Sequence, residues 1–225
     1  MFKAMLVGDI KTVLQLQKAI LQSNSTRLLS IRLVTQVCVN KRIAGIDGKT
    51  CLTFLERFEL NESLKLRVNN WVPQSLKCIS VLRSSGETDY FEIATVSDRV
   101  WQVLIKFSIE PAQEASFHPR NFNVTSIDVI YRVQKLISSV LSDLSFGAQK
   151  RVLSLNLSGL LVSYSKNFIL ENLISLRSVK ICIGRLLAKD IRMDFSSPEN
   201  ISAGLINLLI NVVLNGIEDL HNSLS

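Results

Sequence analysis

The chain has 225 residues and a mass of 25.2 kDa, which is enough for one ordinary domain or two small ones with a buried core. Apolar residues make up 47% and charged residues 20% of the sequence, and this balance excludes an intrinsically disordered chain. The formal net charge of +7 favours a polyanionic partner, either a nucleic acid or a membrane surface, without choosing between them.

The excess positive charge is concentrated in the first quarter of the chain. Residues 1–57 contain nine Lys and Arg against three Asp and Glu, a net charge of +6. The remaining residues carry 17 basic and 16 acidic groups, a net charge of +1. We therefore predict that a polyanion contacts the N-terminal region.

Composition also bears on the compartment. The cysteines Cys38, Cys51, Cys78 and Cys182 form no C-x-x-C pair, which indicates a reducing compartment rather than a disulfide framework or a zinc site. The first ten residues lack the apolar core of a signal peptide. The longest apolar stretch, 201–217, contains three asparagines, which argues against a membrane span. The richness in Ile, Leu, Asn, Ser and Lys is typical of an AT-rich genome such as that of an organelle.

Helical patterns dominate the N-terminal part. Asp9 is a suitable N-cap for a helix that runs to about Gln22, and Lys11 and Lys18 share one of its faces because they are two turns apart. Residues 23–25 predict a break and a new cap. The helices that follow are predicted at about 26–37, 52–59 and 63–69, with a cation-rich loop at 40–48 that contains two glycines.

The later elements are mixed. Residues 74–95 read as two strands joined by a turn at 83–87. Ser97 is predicted to cap a helix that ends at Glu110-Pro111, and 127–144 to form another helix. Leu153, Leu155 and Leu157 alternate with polar residues as in a half-buried strand. A last helix is predicted at about 200–220, so the fold class is α+β.

Three stretches of the sequence carry motifs that occur together in one protein family. Residues 13–48 read VLQLQKAILQSNSTRLLSIRLVTQVCVNKRIAGIDG. They match an LQ-rich helix, then "S-x-x-x-L-L-A-V-R-x-V-T-Q", then "G-K-x-T-A-G-x-D-G". Residues 95–102 are similar to "P-T-I-x-D-R-x-x-Q", with Ala94 in place of proline, and 208–216 to "L-L-A-N-I-x-L-N-G". In this order the motifs resemble the N-terminal region of the group II intron-encoded reverse transcriptase/maturase family.

The resemblance implies a helical, basic N-terminal region at 1–72, a fingers-like region at 73–150 and a partial palm-like region at 151–225. It also implies a lost activity. Polymerisation needs two metal ions held by carboxylates, and the residue aligned with one metal-binding Asp is Asn156, a poor Mg²⁺ ligand. The family's later Asp-Asp turn is not reached by residue 225. We therefore expect a degenerate reverse-transcriptase-like pseudoenzyme, with no catalytic residue, metal site or cofactor.

In the family this N-terminal region contacts intron RNA. Phosphate contacts would come from exposed cations, while the shape of the RNA would supply selectivity. The alternative for Arg32, as for Arg99, is an ion pair with a carboxylate inside the protein. The predicted RNA-binding residues are Lys11, Lys18, Arg27, Arg32, Lys41, Arg42, Lys49 and Arg57.

The leading hypothesis is therefore an RNA-binding protein that assists group II intron splicing without reverse transcriptase activity. Its partners would be the intron or another organellar RNA and a protein that completes the palm, with no membrane. The composition and the lost residues are similar to those of plastid maturase relatives in algae, including the ribosomal-operon-associated proteins of euglenoids, so a plastid (chloroplast) location is expected, with the mitochondrion as alternative. A structural subunit of an organellar ribonucleoprotein complex and a decayed reading frame without function are the other interpretations.

Overall fold

The computed structural model describes residues 1–37, 43–82, 86, 88–118, 166–188 and 203–215, with separate positions at 131, 134, 135, 137 and 138. The predicted strand around Leu155 lies outside the described residues, and so does Asn156, the position at which the sequence predicts a lost metal ligand. So do Lys41 and Arg42, most of the predicted turn at 83–87 and most of the predicted helix at 127–144. The described residues are mostly helical with one small sheet, which agrees with the predicted α+β class.

The N-terminal helices begin where the sequence predicts caps. Helix α1 spans Phe2–Leu6, α2 spans Ile10–Gln22 and α3 spans Asn24–Arg32. The Asp9 carboxylate accepts from the backbone N of Thr12 at 3.0 Å, and the Ser23 hydroxyl accepts from Thr26 N at 3.4 Å. Each bond satisfies a first-turn N–H that has no partner within the helix, so both predicted caps are confirmed.

Helix α3 passes directly into a π-helical turn, Leu33–Val37. The Thr35 hydroxyl donates to Ile31 O at 2.7 Å, a side-chain bond that competes with the regular backbone ladder. Val34 and Thr35 are both buried here. The wider turn thus keeps these side chains against the core up to the start of the basic loop.

One prediction in this region is wrong. The two helices predicted at 52–59 and 63–69 are a single helix, α4 (Phe54–Arg67), followed by a 3₁₀ turn at Val68–Asn70. The polar run at Asn61 suggested a break. In the structure Asn61 is buried and bonded to side chains of α3, so tertiary contacts hold it inside the helix. The helix begins with a capping box in which Thr53 and Glu56 bond reciprocally.

The predicted pair of strands is confirmed as an antiparallel hairpin. Strand β1 (Lys77–Leu82) pairs with β2 (Thr88–Ile93), with Lys77 opposite Ile93 and Leu82 opposite Thr88. Gly86 in the connection has a φ of +87°, a left-handed conformation that side chains disfavour. Most of β1 is exposed, so the hairpin extends away from the helical core.

Helix α5 (Val96–Ser116) differs from its prediction at both ends. Its N-cap is Thr95 rather than Ser97, because the Thr95 hydroxyl accepts from Asp98 N at 3.2 Å. Its predicted end, Pro111, lies inside the helix although proline removes one backbone hydrogen bond. The last turn is held by Gln113, whose side chain bonds Asn172 O at 3.4 Å and accepts from Ile174 N at 3.0 Å.

Three helices complete the described chain: α6 (Lys166–Asn172), α7 (Arg177–Leu187) and α8 (Ala203–Leu214). Helices α6 and α7 have no counterpart among the predicted elements. Helix α8 confirms the last predicted helix, and its predicted apolar stripe is buried. Asn215, directly after α8, makes a structural contact, since its side chain accepts from His118 N at 2.9 Å.

Helix α5 lies at the centre of the core. It packs against α1, α2, α3 and α8, and its Trp101 is buried with Nε1 donating to Val68 O at 3.1 Å. Trp101 stacks on Trp71 with ring centroids 6.4 Å apart. The buried cluster runs from Leu21 to Val213, so the three predicted regions contribute to one hydrophobic core. None of the helices described here is long and apolar enough to cross a membrane.

Candidate nucleic-acid interface

Helices α2 and α3 carry an exposed cationic surface. Lys11 and Lys18 are exposed on α2, whose opposite face buries Val13 and Leu21 in the core, and Arg32 is exposed at the end of α3. The sequence contains no Asp or Glu between Asp9 and Asp47. Cations on this surface therefore have no acidic neighbour along the chain to neutralise them, which suits contact with phosphates.

Arg27 has a different position from the other predicted RNA-binding residues. It is only 4% exposed, with Nε donating to the Asn61 side chain at 3.2 Å and Nη1 to Gln22 O at 2.8 Å. A third bond joins Nη2 to the Asn24 side chain. The guanidinium thus holds α3 against α4 and has no surface to offer a phosphate, so Arg27 is part of the scaffold of the interface and not of its contact face.

Lys49 and Arg57 are engaged with α4 itself. Lys49 forms an ion pair with Glu56 in the first turn of the helix, and the half-buried Arg57 donates from Nε to Leu52 O at 3.1 Å. These bonds leave other donors on both side chains. Lys49 and Arg57 therefore flank the N-terminal end of α4, while Lys41 and Arg42 lie outside the described residues.

The ion pair between Lys49 and Glu56 predicts that the start of α4 loses stability in acid. The hydrogen bond from Lys49, followed by those from the Thr53 backbone and hydroxyl, lowers the pKa of Glu56 from 4.5 to about 2. A carboxyl whose pKa is lowered by folding stabilises the protein fully above its unfolded value and loses that contribution as pH falls toward its folded value. We expect the difference in midpoint of thermal unfolding between wild type and Glu56→Gln to shrink between about pH 5 and pH 2. Thermal melts followed by circular dichroism measure this, and a constant difference across that range would contradict it.

The loop at 43–48 is fixed on the N-terminal end of α5. Asp47 accepts from Val96 N at 3.2 Å through one carboxylate oxygen and from Lys49 N at 3.3 Å through the other. The Arg99 guanidinium donates to Ile43 O at 3.0 Å. Gly48 adopts a φ of +66° at the following turn. The Ala-Gly-Ile-Asp-Gly motif thus docks the exit of the basic loop on the central helix, a structural role for residues that the sequence marks only as a family motif.

The Thr-x-x-Asp-Arg motif at 95–99 has a structural role as well. Asp98 is buried and accepts from Trp71 Nε1 at 2.8 Å, from Thr95 Oγ1 at 2.8 Å and from Gln74 N at 3.0 Å. These bonds join α5 to the segment that enters the hairpin. Burying a carboxylate is compatible with stability only when such donors surround it.

Sequence reasoning missed an exposed aromatic pair. Phe54 and Phe58 on α4 have ring centroids 4.9 Å apart and are 75% and 48% exposed. The signal was available, because aromatic residues four apart at the start of a capped helix share a face. Exposed aromatic rings near cations are of the kind that can stack on unpaired bases.

Sequence reasoning also missed the contact of α2 with the C-terminal part of the chain. Gln17, next to Lys18, is buried, and its Nε2 donates to Ile174 O at 2.8 Å. Nothing in the spacing of these residues indicates a bond across so many positions. Among the described residues, no group of three or more His, Cys, Asp and Glu could hold a metal ion.

Comparisons with known proteins identify a matching domain family and two relatives. Residues 1–64 match the N-terminal domain of reverse transcriptase. The chain is 46% identical over 224 residues to "Maturase-like protein 1" of Euglena gracilis, covering 99% of this chain and 48% of that protein. It is 44% identical over 223 residues to the protein of the same name from Euglena longa, of which it covers 49%. The chain therefore spans about half the length of the curated relatives it matches.

Proposed function

Because this chain is a relative of the maturase-like proteins and carries the N-terminal domain of reverse transcriptase, we propose that it is an RNA-binding protein that assists group II intron splicing. The observation that carries the proposal is the cationic surface of α2 and α3, where Lys11, Lys18 and Arg32 are exposed along a stretch without acidic residues. Such a surface binds phosphates without reading base sequence, and the fold of the RNA then supplies the selectivity.

The proposed mechanism is binding without chemistry. Cations on α2 and α3 neutralise phosphates where RNA segments come close, which lowers the repulsion that opposes folding of the intron. The bonds of the 43–48 loop to α5, and the bond from Lys49 N to Asp47, hold the backbone of Lys49 in one place, so that less conformational freedom is lost on binding. Asn156, at the position where the family places a metal-binding Asp, supports the part of the proposal that the chain does not copy RNA.

The finer assignments belong to the same proposal. We assign residues 73–150 to a fingers-like region and 151–225 to a partial palm-like region that a protein partner would complete. A plastid location is supported by the relatives in Euglena together with the AT-rich character of the composition.

Charge reversal on α2 tests the proposal. We expect Lys11→Glu with Lys18→Glu to weaken binding of a group II intron RNA by at least about tenfold near 0.1 M salt, and to reduce the salt dependence of binding, because phosphate contacts release counterions. Filter binding across a salt series measures both quantities. The matched control is Lys77→Glu with Lys135→Glu, which changes the net charge equally at exposed positions on the hairpin and elsewhere.

Two results would contradict the proposal in different ways. Equal weakening by the α2 pair and the control pair would show that only total charge matters. Equal affinity of the wild-type protein for intron RNA and for transfer RNA would remove the splicing role and leave an unselective polyanion binder. A splicing assay of the intron with and without protein then tests whether binding promotes the reaction.

A further inference from the structure

Helix α7 carries a second concentration of positive charge that the sequence totals conceal. Arg177 is exposed and Lys180 is half-buried, one helical turn apart on α7, whose buried residues include Val179, Cys182 and Ile183. No Asp or Glu occurs between Glu171 and Asp190. Among the described residues neither Arg177 nor Lys180 forms an ion pair. Residues 58–225 have a net charge near zero, but they include α7, a basic helix without acidic residues.

Tertiary contacts place α7 beside the N-terminal region at two points. At its start, the preceding turn is bonded to α2, because Gln17 Nε2 donates to Ile174 O at 2.8 Å. Further along the helix, Arg185 Nη1 donates to the Asn70 side chain at 2.8 Å and to Trp71 O at 3.2 Å. Ser178 bonds Asn69 at 3.2 Å. Helix α7 thus connects the basic helix α2 with the end of α4.

The end of α4 adds to the same positive region. Arg67 is exposed at the last turn of α4, next to the asparagines that hold α7. Asp98, which accepts from Trp71 Nε1, is buried and accepts three hydrogen bonds from protein donors, so it does not offset this charge at the surface. The surface cations here come from distant parts of the sequence but lie on adjoining elements: Arg67 on α4, and Arg177 and Lys180 on α7.

We infer that α7 extends the RNA-binding surface, with Arg177 and Lys180 contacting phosphates of the RNA that α2 binds. The inference rests on the proposed function, and it adds a contact site outside the N-terminal quarter that the charge distribution singles out. The surface fits a polyanion because it presents cations that have no acidic neighbours along α7. A protein partner at this place would need acidic groups to pair with these cations, or an apolar patch. Cations on both α2 and α7 also allow one RNA to contact two helices at once, and this strengthens binding without any new type of contact.

Neutralising substitutions on α7 test the inference. We expect Arg177→Gln with Lys180→Gln to weaken binding of a group II intron RNA several-fold and to lower the slope of log affinity against log salt by about one to two, one for each phosphate contact. The control is Lys77→Gln with Lys135→Gln, which should leave both quantities unchanged. Thermal melts of each variant check that the fold is retained, and neither replaced residue contributes to the buried core.

A second measurement needs no substitution. Acetylation of lysines in the wild-type protein, read by mass spectrometry, should show Lys180 protected when intron RNA is bound and Lys77 modified equally with and without RNA. Unchanged affinity and salt slope in the α7 variant, together with weaker binding by the α2 variant, would overturn the inference while the proposed function stands. Absence of RNA binding by the wild-type protein would overturn both, so the two failures are distinguishable.

Discussion

Replacing Asp98 by alanine is expected to lower the free energy of unfolding by about 3 kcal/mol or more. The substitution leaves the buried donor Trp71 Nε1 without an acceptor and removes one acceptor from Thr95 Oγ1, which still has the Ser97 hydroxyl at 3.1 Å; each unpaired buried donor costs about 1–3 kcal/mol. It also frees the backbone of Gln74, which leads into the hairpin. Urea unfolding followed by circular dichroism and by tryptophan fluorescence measures the loss.

Two further variants identify the cause of this loss. Asp98→Asn keeps one acceptor oxygen but turns an amide toward a donor, so its cost should lie between those of wild type and alanine. Asp9→Ala removes an exposed helix cap that accepts one backbone bond from Thr12, and should cost less than the loss at Asp98. If Asp98→Ala and Asp9→Ala lowered the free energy of unfolding equally, burial of the Asp98 carboxylate would add nothing to its stabilising effect.

Replacing Gly45 by alanine is expected to destabilise the protein by about 2–3 kcal/mol and to weaken RNA binding with it. A Cβ at this position would lie 2.8 Å from Ala94 O and 2.9 Å from Thr95 Cα. Both are backbone atoms at the start of α5, so the loop itself must move, and overpacking of this kind costs about 1–3 kcal/mol. Movement would carry the neighbouring Asp47 and Arg99 contacts away from the N-terminal end of α5.

The matched control for this substitution is Gly184→Ala on α7. There the added Cβ meets a side-chain methyl of Leu170 at 3.3 Å, which can shift, and alanine favours the helix by about 1 kcal/mol. We expect stability equal to or above that of wild type. Urea midpoints and intron RNA affinity of the two variants, measured side by side, test the contrast. An unchanged midpoint in Gly45→Ala would contradict the close contact with α5.

Local signals were sufficient for much of the fold. The caps Asp9 and Ser23, the hairpin and the apolar stripe of α8 follow from patterns a few residues long, and each is confirmed. Two of the errors share one cause. Asn61 and Pro111 look like helix breakers, but Asn61 lies inside α4 and Pro111 lies inside α5. Both helices bond to distant segments: Asn61 of α4 bonds to α3, and Gln113 of α5 bonds to the turn at 172–174.

The resemblance to the reverse transcriptase/maturase family is confirmed by the comparisons, and it depended on motifs whose residues prove to be structural in this chain. Gly45, Asp47 and Asp98 position the loop and the hairpin entry. The positive charge of Arg27 predicts a phosphate contact. In the structure, however, Arg27 is buried and its hydrogen bonds join α3 to α4. Lys11, Lys18 and Arg32 are exposed, as an RNA contact requires.

Sequence by itself determined the helical character of the N-terminal region, the family resemblance and the position of the excess charge. Each depends on residue types and short spacings, which are properties of the chain before it folds. Only the tertiary structure decided which cations face outward and that α7 lies beside the N-terminal region. The bonds responsible, such as Gln17 to Ile174 and Arg185 to Trp71, connect segments far apart in the chain, and a buried polar side chain does not specify its distant partner through any local pattern.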